Sequence, residues 1–589
     1  MGSSPGEQTN TKPGSWNVLQ GRLLQRYENQ PCLACLAGLY SCQWRRYQRA
    51  KTPPGAFCCS KVECSCLLVL VAAFWLSLVL LYFWSKAQND YINFDWNFYS
   101  GKWIPWSMVV LVVVTAVFTY IALLLVLAIC LLSESQRLYL HWCHKIGIFL
   151  VLIFSVVSIG VLFNQWAEEW TTFILSFQVT APYLHIGGSV AMTLLSWTVS
   201  LHFARINKPG LRAMLLGPYL AVLLLLYLLP LSLYSPCIKQ QGTLGPRPAI
   251  YGHRGAPMLA PENTLMSFEK SIEMGTDGLE TDVTISYDGI PFLMHDQTLQ
   301  RTTNIREVLP NNSTHSADKF HWATLASLNA GKWFLKDDPF QSVHLLSKAG
   351  RGRAGNQSVC TLAELLGLAA RHQQLVIFDL KKPHRSHPHT NTWVTTTIDV
   401  IKRSGIDHRL ILWLPNELRT TVQYLAPGFV QVFGGKEKVE VLQMNNVTMV
   451  NLHYSQMSSE EIRIYAAANI STNLFTVSEP WLYSLVWCMG AHSVTTDAAH
   501  ILKRIQRPAF LMTPRQYTAM WLSTDLVSCG LISLIFVFNW WRENGFLCCP
   551  HQQILRKNRN DGNLQTEFSV RPITGRIAPG EAQSNTITM

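Results

Sequence analysis

Charge is what this chain has least of. Only 14% of its 589 residues are Asp, Glu, Lys or Arg, against 49% hydrophobic ones, a balance unusual for a soluble protein of that length. Part of the chain must therefore sit in lipid. Acidic residues are scarcer than basic ones, 36 against 48, which leaves a net charge of +12. Much of that excess flanks apolar runs, where topology and anionic lipid account for it, so nucleic acid is set aside as a partner. A cleaved signal peptide is also missing from this reading. The first apolar run begins near residue 66, behind a tail of about 60 residues, and reads as a signal-anchor helix.

What is present is six apolar stretches. A bilayer core about 30 Å thick takes roughly 20 apolar residues per helix, and residues 66–84, 106–132, 146–163, 182–203, 213–234 and 517–539 qualify. Lys and Arg tend to stay on the cytoplasmic side. They crowd the N-terminal tail (Arg22, Arg26, Arg45, Arg46, Arg49, Lys51, Lys61), the loop after the second stretch (Arg137, Lys145) and the loop after the fourth (Arg205, Lys208, Arg212). The loop after the third holds Glu168 and Glu169 and no Lys or Arg, and the loop after the first only Lys86 and Lys102. Five crossings then place residues 235–510 outside, and the sixth returns Arg542, Arg556, Lys557 and Arg559 to the cytoplasm. The expected location is the plasma membrane, with both termini cytoplasmic. Glycosylation acceptors at Asn311, Asn312, Asn356, Asn446 and Asn469, each followed two places on by Ser or Thr, all fall in the expected external segment.

The expected organisation is a Cys-rich tail (1–65), five helices (66–234), an external domain (249–505) with an insertion at about 305–358, the sixth helix (517–539) and a second tail (540–589). Cys32, Cys35, Cys42, Cys58, Cys59, Cys64 and Cys66, and Cys548 with Cys549, stand beside membrane on the cytoplasmic side, where acylated or reduced thiols are the rule. A zinc site from Cys32 and Cys35 lacks a second Cys or His pair at a convincing spacing. Outside, Cys237, Cys360 and Cys488 allow one bridge among themselves. The sequence does not choose the pair.

In the external segment, apolar strand-like runs near 248–252, 278–285, 291–294, 375–380, 410–414, 429–433, 449–453, 473–477 and 493–496 alternate with helical patterns. That rhythm predicts an α/β fold, a (β/α)8 TIM-like barrel, attached to an all-α six-helix membrane region. Thr264 caps a helix carrying Leu265, Phe268 and Ile272, which Gly275 stops. The polar residues collect at or near strand ends. His253 and Arg254 follow one strand, Glu280 and Asp282 share a face of the next, His295 ends a third, and Asp379 and Lys381 close a fourth. In a barrel, catalytic groups collect on that face.

A phosphodiester's negative charge repels nucleophiles, so its hydrolysis calls for a divalent cation in a carboxylate cage, with cationic side chains alongside. Glu280, Asp282 and Asp379 are the expected metal ligands; Arg254 and Lys381 are the phosphate clamps. An all-oxygen set favours Ca2+ or Mg2+ over zinc. Of His253 and His295, one removes a proton from the nucleophile and the other protonates the leaving oxygen; either assignment is open. Glu262 is read as a metal ligand, as a supporting carboxylate, or as a helix-start carboxylate favoured by the dipole, and Asp497 as structural.

His253-Arg254-Gly255, Pro261-Glu262-Asn263-Thr264, Glu280-x-Asp282, Asp288-Gly289, His295-Asp296, Leu328-Asn329-Ala330-Gly331-Lys332-Trp333-Phe334 and Thr496-Asp497 occur in one order over residues 249–505. In that order they resemble the glycerophosphodiester phosphodiesterases, and the flanking helices resemble the six-helix branch of that family. The resemblance implies an external catalytic domain. It also implies glycerophosphodiester substrates, with glycerophosphoinositol or GPI anchors, and hence GPI-anchored proteins as targets, among the expectations. Two departures stand out. The family's Glu-Ile-Lys is Asp379-Leu380-Lys381 here, one methylene shorter, and its Trp-Thr-Val-Asn is Phe475-Thr476-Val477-Ser478, which keeps an aromatic wall for glycerol in Phe475 but removes an indole donor and an amide. The non-enzymatic alternative is a receptor-like protein that binds through the barrel. A transporter is a third class, for which the apolar stretches offer only Asp525, His185 and His202 as ionisable groups besides thiols and tyrosines.

Overall fold

The computed structural model describes residues 31–42, 60–97, 102–134 and 136–544. The tail cysteines Cys58, Cys59, Cys548 and Cys549, the Cys32 side chain and most basic residues of the two tails lie outside the described residues. After a short helix α1 (Pro31–Ser41) come α2 (Lys61–Lys86), α3 (Trp106–Ser133), α4 (Trp142–Gln165), α5 (Ala167–Arg205) and α6 (Pro209–Ser232), and a last helix, Pro514–Asn544, follows the barrel. Six described helices are long and apolar enough to cross a membrane.

The helix α5 is longer than its apolar stretch. It starts at Ala167 and runs for 39 residues, so Glu168 and Glu169 fall in its first turn and not in a loop as expected. Its early turns are held by tertiary packing that a hydropathy window does not register. Leu175 and Val179 join the hydrophobic core of the barrel, and the Thr172 hydroxyl lies 2.6 Å from the Tyr454 hydroxyl.

Polar pairs lock α5 to the last helix. His185 Nε2 lies 3.1 Å from Asp525 Oδ1, Thr193 Oγ1 2.7 Å from Ser528 Oγ, Asn539 Nδ2 donates to Ser200 Oγ at 2.7 Å, and Arg205 donates to Glu543 at 2.9 Å. Both numbers of each pair rise together, so the two helices run parallel. The His185 and Asp525 groups that would mark a transport path are thus paired with each other between two helices.

The barrel strands are β1 (Ala249–Gly252), β2 (Gly278–Ile285), β4 (Leu375–Leu380), β5 (Ile411–Trp413), β6 (Val430–Phe433), β7 (Met449–His453), β8 (Ser471–Phe475) and β9 (Ser493–Thr496); β3 (Pro291–Leu293) lies outside the ring. Parallel pairing runs β1-β9-β8-β7-β6-β5-β4-β2 and closes through β1 with β2. Each of the nine strands overlaps one of the apolar runs read from the sequence, with β8 beginning two residues before its run at 473–477. The exception to the parallel rule is β3, which pairs antiparallel to β2 with Leu293 opposite Val283. His295 therefore reaches the rim from above, on a strand running back toward it. It does not leave the barrel from below as the others do.

Alternation along β2 explains its two faces. Leu279, Val283 and Ile285 point to the surrounding helices and are fully buried there, while Glu280 and Asp282 face inward. Tyr251, Ile377, Leu412, Val432 and Met449 fill the ring interior. Helix α7 (Leu265–Glu273) follows β1, its Ser267 N–H capped by the Thr264 side chain. Helix α8 (Pro480–Met489) follows β8 and is buried on every side, because it lies between the barrel core and α5. Pro514–Asn544 is α9. Residues 305–358, expected as an insertion, fold as short helices whose Ile305, Phe320 and Leu325 pack in one apolar cluster with Phe292 and Leu299 of the preceding segment. In its Leu-Asn-Ala-Gly motif, a Cβ on Gly331 would fall 1.8 Å from the Ala354 carbonyl oxygen. Only glycine fits there. The five sequon asparagines are all exposed.

Cys237 and Cys488 form the disulfide, across a sequence separation of 251, and Cys360 is a free buried thiol. The bridge ties the chain leaving α6 to α8. Cys237→Ser is expected to lower the stability of the barrel by about 2–4 kcal/mol in denaturant unfolding of the purified protein, and non-reducing digestion should yield the two cysteine peptides joined. Separate peptides, or an unchanged midpoint, would contradict this linkage.

Candidate active site

The His-Arg-Gly turn is shaped by its own backbone. Arg254 and Gly255 take positive φ, 53° and 91°, and a Cβ at 255 would lie 2.5 Å from Ser267 Oγ, which makes glycine obligatory there. The turn is fastened to the start of α7, where Ser267 Oγ donates to the Arg254 carbonyl at 3.0 Å and accepts from Ala256 N–H at 2.8 Å. A non-glycine residue in the left-handed region stores strain that the surrounding bonds must hold. The effect is to present His253 and Arg254 side by side at the mouth of the barrel.

A cavity of about 690 Å3 opens at that mouth, lined by His253, Arg254, Glu262, Glu280, Asp282, His295, Asp379 and Phe475 among others. Eight of the nine residues expected for catalysis, metal or phosphate thus share one space. Lys381 does not line it. Its ammonium donates to the carbonyls of Met294, at 3.3 Å, and His295, and lies 3.9 Å from Asp282 Oδ1. The expected phosphate clamp is therefore turned under the end of β3, where it holds the His295 backbone, because two carbonyls and a carboxylate offer it more than open solvent does.

Each histidine rests on a carboxylate. His253 Nδ1 is 2.6 Å from Asp497 Oδ1, and its Nε2 is 3.9 Å from Glu280 Oε2. Burial disfavours a charge on His253, but the Asp497 carboxylate outweighs it and the pKa is raised. His295 Nδ1 is 2.8 Å from Asp296 Oδ1, and its side chain is 43% exposed. Asp296 in turn accepts from Arg301 at 2.7 and 2.9 Å. Buried yet paired with His295 and Arg301, Asp296 has its pKa held far below the usual carboxylate range. The sequence reading missed Arg301 altogether and left Asp497 as structural. The signals were present, since Asp497 follows a strand end and Asp296 follows His295, but nothing local shows which imidazole each would meet.

Glu262 is a carboxylate shared by two arginines. Arg301 donates to its two oxygens at 2.7 and 2.6 Å, and Arg254 to Oε1 at 3.1 Å. Burial pushes its pKa up, but Arg301 and Arg254 together hold it at about 2. With both oxygens taken by guanidinium groups, Glu262 serves as a brace between the two histidine arms.

The three expected metal ligands present hard oxygen donors on one wall. Asp282 and Asp379 are register partners on β2 and β4. Glu280 is raised to about 7 by burial and by the charge of Asp282, against the pull of His253 and Arg254. Glu280 accepts from the Arg254 backbone N–H at 3.0 Å, and Asp282 from Asn263 at 3.2 Å, with Arg254 Nε 3.5 Å away. Arg254 Nε itself is buried without a hydrogen-bond partner. Among the described residues no three His, Cys, Asp or Glu side chains stand close enough to hold an ion as they are placed. The donor chemistry fits a hard divalent cation, while the present side-chain directions are taken by Arg254 and Asn263.

Residues 253–501 match the glycerophosphoryl diester phosphodiesterase family. The chain is 43% identical over 573 residues to "Glycerophosphodiester phosphodiesterase domain-containing protein 5" of Homo sapiens, across 96% of this chain and 93% of that protein. It is 41% identical to "Glycerophosphodiester phosphodiesterase domain-containing protein 4" of Mus musculus, across 94% of each. With "Glycerophosphoinositol inositolphosphodiesterase GDPD2" of Mus musculus it shares 42% identity, across 85% of this chain and 92% of that protein.

The brace makes an acid-stability prediction. The unfolded Glu262 carboxyl has a pKa of 4.5 and the folded one about 2, so the depressed group stabilises the fold fully above the unfolded value. That stabilisation, of order 3 kcal/mol, is lost as pH falls from about 4.5 toward 2. Glu262→Gln should lose it already at neutral pH and unfold with a shallower acid dependence in pH-jump denaturation. A variant as stable as wild type at pH 7 would show that the two arginines do not need it.

Proposed function

The chain belongs to the glycerophosphoryl diester phosphodiesterase family, and from that premise we propose that it is a membrane-anchored phosphodiesterase acting on glycerophosphodiesters at the outer cell surface. The observation that carries the reading is the pair of imidazoles, each seated on its own carboxylate, at one cavity with Arg254 set against Glu262 and Asp282. Glu280, Asp282 and Asp379 would hold a divalent cation, Ca2+ or Mg2+, which when bound supplies positive charge for the phosphate oxygens. Arg254 adds a fixed positive charge on the same side. Phe475 gives the glycerol carbons an apolar wall.

The two imidazoles divide the proton work. His253, with its pKa raised by Asp497, holds a proton and delivers it from Nε2 to the leaving alkoxide oxygen. His295, more open to the cavity, takes the proton of the attacking hydroxyl or water. A relative named for glycerophosphoinositol supports that diester as a first substrate; cleavage of GPI anchors is a further reading that has no separate support. The outward placement of the barrel rests on the Lys and Arg asymmetry of the loops and the five exposed sequons.

These roles are checked by leaving-group dependence. Full-length protein on intact cells should cleave glycerophosphoinositol or glycerophosphocholine, lose that activity on chelation and regain it with Ca2+ or Mg2+. His253→Ala should lose about 100-fold or more on an alkyl diester but far less on a p-nitrophenyl diester, whose leaving group needs no acid. His295→Ala should be equally impaired on both. Equal losses for the two variants on both substrates would refute the assignment. A wild type as inert as His253→Ala would favour a barrel that only binds.

A further inference from the structure

One side of the catalytic cavity does not belong to the barrel. Asn89, Asp90, Ile92, Asn93, Trp96 and Trp103, from the connection between α2 and α3, line it opposite the strand ends. This connection is fastened at two points. At one, the Asn89 carboxamide donates to the Thr476 carbonyl at 2.9 Å and accepts from Ser478 N–H at 2.8 Å. Ser478 Oγ then accepts from the Asp497 N–H at 3.1 Å, and Asp497 carries His253. At the other, the Trp103 ring lies parallel to Trp333 at 6.0 Å and packs with Ala260, Met266 and Phe334. The Arg301 guanidinium sits 5.9 Å from the Trp333 ring and reaches His295 through Asp296.

The two anchor points thus stand behind different imidazoles. Between them Trp96 and Trp103 pair in antiparallel register, with rings 5.2 Å apart, which stiffens the span. We propose that the connection between α2 and α3 is a strap across the barrel mouth that sets the positions of both catalytic histidines, with Asn89 the positioning residue for the His253 arm and Trp103 for the His295 arm. The inference rests on the phosphodiesterase reading above and adds to it that the membrane segment is part of the catalytic apparatus. Misplacing an acid or base by about an ångström costs up to about 100-fold in rate, so two hydrogen bonds and one ring stack are enough to matter.

The test uses full-length protein in its membrane, normalised to the amount of folded chain, with an alkyl diester and a p-nitrophenyl diester. Asn89→Ala should lower kcat on the alkyl diester about tenfold with KM within about twofold, and should be nearly normal on the p-nitrophenyl diester. Ser478→Ala should behave the same way, and the double variant should be no worse than either single one, since both cut the same chain of bonds. Trp103→Ala should lose activity on both substrates alike, and Trp103→Phe should restore most of it. A merely structural loss would scale both substrates equally in Asn89→Ala, and that result would overturn the proposal, as would kcat within twofold of wild type in all of these variants. A wild type inert toward every diester would instead remove the phosphodiesterase reading, and the strap with it.

Discussion

An excess of carboxylates in one enclosed space governs this site. Glu262, Glu280, Asp282, Asp296, Asp379 and Asp497 all line the cavity, while Arg254 and Arg301 are the permanent cations there, with Lys381 held just beneath by backbone carbonyls. In a medium of low dielectric such crowding is tolerated only if protons, guanidinium groups or a metal make up the difference. The structure shows the first two at work. Glu280 keeps its proton up to about pH 7, His253 is drawn toward its charged form, and two arginines share Glu262. Among the described residues Glu280 and Asp379, two of the three expected metal ligands, have no guanidinium ion pair, and the third, Asp282, has Arg254 Nε only at 3.5 Å, so the same imbalance that shifts the protons also favours a cation.

The geometry that gathers these groups comes from a mismatch in strand length. The strand β2 runs for 8 residues while its parallel neighbours in the ring have 4 and 6. Its overhang would expose unpaired backbone at the rim, and β3 covers that edge by turning back antiparallel. His295 is carried to the mouth by this return. The Met294 N–H bonded to the Asp282 carbonyl at 3.0 Å sets the histidine directly beside the carboxylate wall. One irregularity in an otherwise regular barrel therefore delivers the second imidazole.

Much of this was legible in the sequence, and for definite reasons. The eight ring strands announced themselves because buried parallel strands are short apolar runs, and Glu280-x-Asp282 could be placed on one face because the strand period is two. The direction of β3 was not legible, since periodicity carries no direction. Nor was the fate of Lys381, which depends on the carbonyls of a strand far away in the chain. Asp497 and Arg301 were missed for a related reason. Each acts by meeting a residue distant in sequence, His253 in one case and Glu262 in the other, and one sequence by itself contains no trace of such a meeting. The start of α5 was lost to hydropathy because its polar first turns are buried by the barrel and not by lipid.

The separate readings of membrane and barrel also concealed how the two are joined. Helix α8 is apolar on every face because one side meets the barrel core and another meets α5; Tyr454, just past the end of β7, bonds to Thr172 of the same helix. The second contact lies at the strand-end rim, where the cavity opens, and so does the connection between α2 and α3. In a barrel the opposite rim serves stability and tolerates docking without any effect on chemistry. Here part of the docking falls on the rim at which the cavity opens. The family's Asn at the end of its Trp-Thr-Val-Asn pattern is Ser478 in this chain, and the amide found against that turn is Asn89. Asn89 holds the backbone on either side of Val477, while the Ser478 hydroxyl holds the Asp497 N–H, so the connection between α2 and α3 is bonded to the barrel rather than merely tethered to it.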